Sequence, residues 1–368
     1  MLKLDGNYLE GGGSIVRVAL ALSTITQKPF EIADIRKNRP QPGLKSQHLF
    51  CIKALEKLCN AKAEGAELGS TYLKYVPGKI EGKTIDIDIQ TAGSITLLLQ
   101  AVLLPSMFAD KNVRLNIVGG TDTKWSPGFD YFNNVFLPQA RKYADIGCKL
   151  IKRGYYPKGS GKVELKISPK YRISDFEDFE KFHSHLRENA LKINLADQGY
   201  LIQIKGISHA SSDLEDSSVA ERQAKAAEIS LKHYNCPVNI RIEYNKTLST
   251  GSGITLWAIF SKNMDEIDIE NPIILGADAL GEREKKAETV GAEAADNLIR
   301  EIESKAPADK HLADQILVLM ALAGKSKIKT SDITNHARTN IYAIDKFLGK
   351  TFEINEKENI ISTINNEF

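Results

Sequence analysis

Hydrophobic and polar positions along the chain switch repeatedly between the spacing of a helix and that of a strand. Apolar residues repeat at helical spacing after residue 13, over residues 43–58 and over 131–144, and they form a nearly continuous run over 94–104. Short runs rich in β-branched and aromatic residues separate these helices and predict strands, at residues 29–35, 71–75, 84–89, 113–118, 149–152 and 162–167. The alternation predicts stacked α/β modules.

A short turn of small residues precedes a predicted helix twice, first at residues 11–14 and again at 92–94. Near the end of the chain, a predicted strand at 271–276 and predicted helices at 287–303 and 311–323 repeat this alternation of strand and helix. Such weak repetition predicts a body with three-fold pseudo-symmetry.

Residues 175–270 have a different character. A Ser- and Asp-rich loop and one helix lie among three strand-like runs, which together give a βαββ pattern. This pattern predicts a small α/β domain inserted into the main body. The predicted main body therefore comprises residues 1–175 and 271–368, and the predicted insert comprises residues 176–270.

Composition favours an ordinary globular protein. Of 368 residues, 42% are hydrophobic and 26% are charged, and a chain of this length buries a large core in two or more domains. The net charge of +2 gives no global case for nucleic-acid binding, so any basic surface has to be local. The four cysteines form no Cys-x-x-Cys pair, and neither a secretory signal nor a bilayer-spanning apolar run is evident. We expect a cytoplasmic protein with no membrane partner.

The glycine-rich segment near the start of the chain is the first candidate for chemistry. Three consecutive glycines at residues 11–13 allow a tight turn and a close approach of ligand to backbone, and Ser14 is placed to cap the helix that follows. A helix N-terminus binds phosphate, Glu10 can hold a metal ion, and Arg17 lies one helical turn further on. Neither a Walker A loop nor a dinucleotide fingerprint fits. The segment indicates a nucleotide site, with a purely structural turn as the alternative.

A basic loop follows the first predicted strand. Residues 36–45 carry four cationic side chains and are braced by two prolines. The planar guanidinium groups of Arg36 and Arg39 match phosphate oxygens, and Asn38 and Gln47 add polar donors suited to phosphate and sugar groups. The loop predicts phosphate binding, and a solvated basic loop is the alternative.

A polar and aromatic loop follows the strand at 113–118. Residues 119–128 contain Gly-Gly-Thr-Asp and then Trp-Ser-Pro-Gly. A loop of this kind at the end of a strand can hold a base or a ribose. An ordinary long turn is the alternative.

His311 lies at the start of a predicted helix, after a Pro-Ala-Asp segment. A neutral imidazole is a nucleophile toward phosphorus. Asp314, one turn along the helix, is placed to orient the ring and to hold its tautomer. A capping or surface histidine is the alternative.

Taken together, these segments resemble RNA 3′-terminal phosphate cyclase. The matching motifs occur in family order along almost the whole chain. They are Leu-Asp-Gly with Glu-Gly-Gly-Gly at 4–13, Ile-Arg-Lys-Asn-Arg-Pro-Gln-Pro-Gly-Leu at 35–44, Gly-Ala-Glu-Leu-Gly-Ser at 65–70, Thr-Ala-Gly-Ser-Ile-Thr-Leu-Leu-Leu-Gln at 91–100, Gly-Gly-Thr-Asp at 119–122, Tyr-Tyr-Pro-Lys-Gly-Ser-Gly at 155–161 and His-Leu-Ala-Asp-Gln at 311–315. Agreement is weakest in residues 175–270 and after Gly324.

The resemblance implies an α/β (α+β) fold of three stacked βαβαββ units, similar to the C-terminal domain of bacterial translation initiation factor 3, with a smaller inserted α/β domain. It also implies the reaction. ATP adenylylates a histidine and releases diphosphate, and the AMP passes to an RNA 3′-terminal phosphate. The neighbouring 2′-hydroxyl then expels AMP and leaves a 2′,3′-cyclic phosphate.

The resemblance also implies roles for particular residues. The nucleophile is His311, and the carboxylate linked to a divalent metal ion, Mg²⁺ or Mn²⁺, is Glu10. The residues that bind ATP or phosphate are Arg17, Arg36, Arg39, Gln47, Gln100, Pro127, Asp314 and Gln315. Whether the arginine loop serves ATP or the RNA phosphate stays open at this point, as does any oligomeric partner.

Two other functions compete with the cyclase. One is a non-catalytic RNA-binding factor of ribosome biogenesis with the same fold, and the presence of His311 argues against it. The other is a small-molecule enzyme similar to enolpyruvyl transferases. Its chemistry needs no histidine nucleotidylation, so α-labelled ATP separates the two.

Overall fold

The computed structural model describes residues 1–9, 11–263 and 267–364. Its first unit runs strand, helix, strand, helix, strand, strand: β1 (Leu2–Asp5), α1 (Ser14–Thr26), β2 (Phe30–Ala33), α2 (Ser46–Cys59), β3 (Lys62–Glu64) and β4 (Leu73–Val76). The sheet has the order β1-β2-β4-β3, in which β1 and β2 are parallel and the other pairs are antiparallel.

The second unit repeats this order. It comprises β5 (Thr84–Asp88), α3 (Ile95–Met107), β6 (Val113–Gly119), α4 (Phe129–Tyr131), a π-helical turn (Phe132–Phe136), α5 (Leu137–Ala140), β7 (Ala144–Lys152) and β8 (Gly161–Pro169). The sheet order is β5-β6-β8-β7, with β5 and β6 parallel. The helix predicted over 131–144 ends earlier, because the apolar Tyr143 and Ala144 are buried where β7 begins.

A smaller sheet follows. After α6 (Phe179–Asn189) and the short β9 (Asn194–Leu195), the chain forms β10 (Tyr200–Ser211), α7 (Val219–Leu231), β11 (Val238–Asn245), β12 (Ser252–Ser261), β13 (Ile273–Leu280) and α8 (Ala287–Glu303). The order in this sheet is β11-β10-β12-β13, and α7 packs against α8.

The chain then returns to the first pattern with α9 (Lys310–Ala323), β14 (Lys327–Lys329), α10 (Asn335–Leu348), β15 (Phe352–Asn355) and β16 (Ile360–Thr363). This sheet has the order β15-β16-β14-β9, and β9 is parallel to β14. Counted from β9, the strand order and directions equal those of the first two units. Three of the four sheets in the described ranges therefore share one topology.

The borders of the smaller sheet differ from the predicted 176 and 270. Its strands begin at Tyr200, and β13 continues it to Leu280 by antiparallel pairing with β12. By contrast, Leu195 pairs with Ile328 of the main body. The apolar run in β13 looks like the opening strand of a new unit, and only its long-range pairing assigns it to the smaller sheet.

Helix α1 lies at the centre of the main body. All 13 of its residues are buried, including Ser14 and Arg17, and it packs against α2, α3 and α10. A helix that is buried on every side places its polar groups inside the protein. In the part of the chain described here, no helix is both long and apolar enough to cross a membrane.

Candidate active site

The glycine turn before α1 touches two cationic or titratable side chains. A Cβ placed on Gly13 would lie 2.1 Å from His48 Nε2 and 3.0 Å from Arg17 Nη1. Gly13 is also the N-cap residue of α1, and it provides no side-chain hydrogen bond. The predicted cap by Ser14 is therefore absent, because Ser14 already belongs to the first turn of the helix. Only glycine leaves room for both neighbours at this turn.

His48 is completely buried and presents a hydrogen-bond donor to this turn. Its Nδ1 accepts a 2.9 Å hydrogen bond from the backbone N–H of Lys45, so in the neutral ring Nε2 carries the proton. Burial, and then the charges of Arg17 and Arg36, hold its pKa well below the usual value. Nε2 has no hydrogen-bond partner among the described residues. Such an orphan buried donor indicates a site for an acceptor.

Arg17 is a buried cation beside the same turn. Its Nε donates a 2.8 Å hydrogen bond to Gln100 Oε1, which fixes the guanidinium plane. Burial and, to a smaller extent, the charge of Arg36 lower its pKa to about 10, but the group stays charged at neutral pH. No described carboxylate forms an ion pair with Arg17 or Arg36. An anionic ligand would supply the missing counter-charge.

The basic loop brings its arginines to the same place. Arg36 adopts a left-handed backbone conformation with φ +56°, and burial followed by the charge of Arg39 lowers its pKa. Nη2 of Arg39 lies 3.7 Å from the position that a Cβ would take on Gly12. The structure thus gathers Arg17, Arg36 and Arg39 around the glycine turn.

Gln47 and Gln100 line the neighbouring edge of this site. The Cβ of Gln47 lies 3.8 Å from the position that a Cβ would take on Gly93, in the second small-residue turn. Gln100 holds Arg17 from α3. Both glutamines therefore lie where α2 and α3 meet the cationic cluster.

Hydrogen bonds connect α3 with the loop that contains Pro127, and this loop with Asp278 near His311. Thr96, one turn before Gln100, donates from its hydroxyl to the carbonyl oxygen of Pro127 at 2.7 Å. The next residue, Gly128, donates its N–H to Asp278 Oδ2 at 3.2 Å. Burial raises the pKa of Asp278, and the nearby His311 acts in the opposite direction. Pro127 and His311 consequently both lie near Asp278.

His311 is exposed at the first turn of α9, as predicted. The carboxylate of Asp309 caps this helix by accepting the backbone N–H groups of His311 at 3.0 Å and Leu312 at 2.9 Å. The hydroxyl of Tyr131 donates to the same carboxylate at 2.6 Å, and its ring lies edge-on to the imidazole with centroids 6.4 Å apart. The backbone is fixed and the imidazole is accessible, which suits a nucleophile.

Asp314 and Gln315, both on α9, make hydrogen bonds to α9 itself and to the residue before α10. Asp314 Oδ1 accepts a 2.6 Å hydrogen bond from the hydroxyl of Thr334, just before α10. Gln315 Nε2 donates to the backbone oxygen of His311 at 2.9 Å. The first contact ties α9 to α10, and the second supports the turn that carries His311.

The predicted metal ligand, Glu10, lies outside the described residues. Elsewhere, Asp122, Asp130 and His209 bring ligand atoms within 4.8 Å of one another. Arg153 already occupies their centre, because its guanidinium donates to Asp122 at 3.2 Å and to Asp130 at 2.7 Å. It also reaches Glu243 at 2.9 Å. A cation is thus in place, and the cluster is a buried ionic contact rather than a metal site.

Comparison with known proteins identifies one family. A family model described as RNA 3′-terminal phosphate cyclase matches residues 8–354. The chain is 44% identical over 357 residues to the RNA 3′-terminal phosphate cyclase of Pyrococcus furiosus, covering 96% of this chain and 95% of that one. It is 41% identical to the Archaeoglobus fulgidus protein of that name and 42% identical to the Methanosarcina acetivorans protein, with 98% of this chain covered in both cases and 100% and 98% of the relatives.

The chain belongs to the RNA 3′-terminal phosphate cyclase family.

This finding confirms the family and the enzyme class that the sequence motifs predicted. The region matched by the cyclase family contains both the glycine turn before α1 and His311. His48 is the residue that sequence reasoning missed. Its only signal was a titratable side chain at an apolar helical position beside four cations, whereas its role depends on contacts with Lys45 and Gly13.

Replacing Gly13 by alanine tests the glycine turn of this cyclase-family protein. The new Cβ would lie 2.1 Å from His48 Nε2, so we expect a loss of about 1–3 kcal/mol in the free energy of unfolding. Displacement of the turn should also lower ATP-dependent labelling about a hundredfold. Urea unfolding and incubation with α-labelled ATP measure the two effects.

Gly147→Ala is the matched control, because the nearest atoms to its Cβ would lie at 3.9 Å, an ordinary contact distance. We expect this variant to behave as the unchanged chain. Equal behaviour of the two variants would contradict the crowding at Gly13.

Proposed function

We propose that this protein uses ATP to convert an RNA 3′-terminal phosphate into a 2′,3′-cyclic phosphate through an adenylylated His311. The observation that carries the proposal is the pairing of two features. A cationic glycine turn presents an orphan donor from His48, and α3, Pro127 and Asp278 connect it to an exposed histidine. Membership of the cyclase family supports the same reaction.

In the first step, the unprotonated ring nitrogen of His311 attacks the α-phosphorus of ATP. A nitrogen–phosphorus bond forms and the bond to diphosphate breaks, while the other ring nitrogen keeps its proton, so that neutral imidazole is the leaving group of the second step. Arg17 and Arg36, with the N–H of His48, are placed to stabilise charge on phosphate oxygens. In this proposal Arg39, Gln47 and Gln100 complete the phosphate site.

In the second step, an oxygen of the RNA terminal phosphate attacks the AMP phosphorus and releases His311. In the third step, the adjacent 2′-hydroxyl attacks the terminal phosphorus, loses its proton and expels AMP. Both steps depend on holding the reacting groups in line. In this proposal Pro127, Asp314 and Gln315 also belong to the ATP site.

A divalent ion, Mg²⁺ or Mn²⁺, belongs to the same proposal, with Glu10 as its protein ligand. When bound, such an ion would supply positive charge to the diphosphate leaving group. Arg153 fills the buried carboxylate cluster, so we do not assign the ion there.

The repeated sheet topology supports the fold that the family resemblance implies. We propose that the three equivalent sheets are the βαβαββ units similar to the C-terminal domain of translation initiation factor 3. The fourth sheet and its helices, residues 200–303, would be the inserted domain. All four cysteines are free thiols, which is typical of a reducing compartment. The proposal therefore places the protein, and the RNA processing that follows from the proposed reaction, in the cytoplasm.

The test is to incubate the protein with α-labelled ATP and to follow the label onto protein, then onto an oligoribonucleotide with a 3′-phosphate. We expect acid-labile protein–AMP, followed by a cyclic end. Absence of protein–AMP would contradict the proposal, and cyclisation without AMP release would contradict the order of steps.

A substrate with a 2′-deoxy terminal nucleotide separates the last two steps. It lacks the nucleophile of the third step, so we expect it to accept AMP and then accumulate as an adenylylated end. Mass spectrometry of the oligonucleotide measures this product, with the all-ribose strand as the control. Release of AMP from the deoxy strand at the ribose rate would show that another group displaces it.

A further inference from the structure

Two aromatic side chains project into solvent on neighbouring loops beside the site. Trp125 is 96% exposed and Tyr156 is 76% exposed. The backbones of Asp122 and Tyr155 pair in a parallel bridge, so both loops start from the same place. Large aromatic rings are normally buried, and a local group of exposed ones indicates a ligand or partner.

The loop that carries Trp125 is strained and is held by hydrogen bonds. Trp125 has φ +67°, a left-handed conformation that bulky residues rarely adopt and that clusters at binding sites. The hydroxyls of Thr123 and Ser126 lie 2.9 Å apart on either side of it, and Thr96 anchors the carbonyl of Pro127. The ring is therefore held out by a fixed loop.

The hairpin that carries Tyr156 adds positive charge. Lys152 and Lys162 face each other across β7 and β8, and Lys158 is exposed at the tip. No described carboxylate forms an ion pair with any of these three lysines, whereas Lys124 pairs with Glu282 at 2.9 Å. Stacking rings beside unpaired cations are the combination that binds single-stranded nucleic acid.

This surface adjoins the site. Trp125 lies two residues before Pro127, and the hairpin tip packs on the turn before α3. There, a Cβ on Gly159 would lie 2.6 Å from the carbonyl oxygen of Thr91. A strand whose 3′ end occupies the site would reach both rings with its last bases.

We propose that Trp125 and Tyr156 form a stacking platform for the bases that precede the RNA 3′ end, with Lys152, Lys158 and Lys162 facing the backbone phosphates. The proposal rests on the proposed function and adds the path of the RNA strand. Stacking tolerates every base, so the platform provides affinity with little sequence preference.

Fluorescence tests the platform without any turnover. The chain has two tryptophans, and Trp257 is buried, so emission from solvent-exposed tryptophan reports Trp125. Titration with a short oligoribonucleotide ending in 3′-phosphate should quench this emission, and Trp125→Phe should abolish the response. Quenching by ATP but not by the oligoribonucleotide would assign the ring to ATP and overturn the proposal, as would no quenching at all.

Kinetics provide a second readout. Trp125→Ala should raise the KM for the oligoribonucleotide about tenfold, and Tyr156→Ala should act in the same direction. The KM for a nucleoside 3′-phosphate, which has no preceding base, should change much less in either variant. Tyr200→Ala is the control, because Tyr200 is also exposed, to 54%, but lies on β10 far from the platform. It is nine residues, roughly 30 Å, along that strand from His209, which lies beside Asp122.

The outcomes distinguish the two proposals. Absence of protein–AMP and of cyclisation in the unchanged chain would remove the proposed function, while the fluorescence titration would still decide whether RNA stacks on Trp125. Equal KM increases for the oligoribonucleotide and the mononucleotide would overturn the platform alone. A parallel loss of protein–AMP formation in Trp125→Ala would overturn it too.

Discussion

His311→Ala is expected to abolish covalent protein–AMP, lowering labelling by α-labelled ATP at least about a thousandfold. The alanine variant has no nucleophile at the first turn of α9, and no described side chain replaces it there. Its fold should persist, because the imidazole is exposed and Asp309 caps the helix through backbone N–H groups. Circular dichroism checks the fold, and gel autoradiography checks the label.

His233→Ala is the matched control, since His233 is also exposed but lies just after α7. This variant should label as the unchanged chain does. Full labelling of the His311 variant would move the nucleophile elsewhere and remove the central residue of the proposed mechanism.

Arg153→Met is expected to lower the free energy of unfolding by about 3–5 kcal/mol. Arg153 is completely buried and holds Asp122, Asp130 and Glu243 together. Burial tends to raise the pKa of Asp122, but the charges of His209 and Arg153 hold it below its usual value. Without the guanidinium, carboxylates from the second unit and the smaller sheet would face one another without the cation that they share.

Urea unfolding of Arg153→Met measures the loss, and Arg114→Met is the control. Arg114 pairs with Glu164, but its side chain is 49% exposed. Exposed pairs contribute at most about 1 kcal/mol. A similar decrease in the free energy of unfolding in both variants would show that the buried cluster is not a main stabilising contact between the second unit and the smaller sheet.

Much of the candidate site could be predicted because its parts are local in sequence. The glycines at 11–13 and the arginine loop each combine residue types that suit phosphate, and His311 follows a capping aspartate. These signals need only neighbouring residues to be recognised. Their convergence on one place needed the fold, since Arg17 meets Gln100 across two different units.

Other features could not be predicted because they depend on distant partners. His48 occupies a helical position that looks apolar, and its donor role arises from contacts with Lys45 and Gly13. Arg153 lies in an unremarkable strand end, and its carboxylate partners come from three other segments. The extension of the smaller sheet past residue 270 could not be predicted for the same reason, because β13 is assigned to that sheet only by pairing with β12.

The pairing of Leu195 with Ile328 has a consequence for synthesis on the ribosome. Chains emerge N-terminus first and fold domain by domain, and a parallel pair separated by the whole smaller sheet closes late because distant contacts cost loop entropy. A nascent chain therefore displays the glycine turn and its arginines long before α9 is made. Any fragment released before α9 is made would carry the glycine turn and its arginines without His311, so the synthesis of α9 determines when both parts of the proposed site are present.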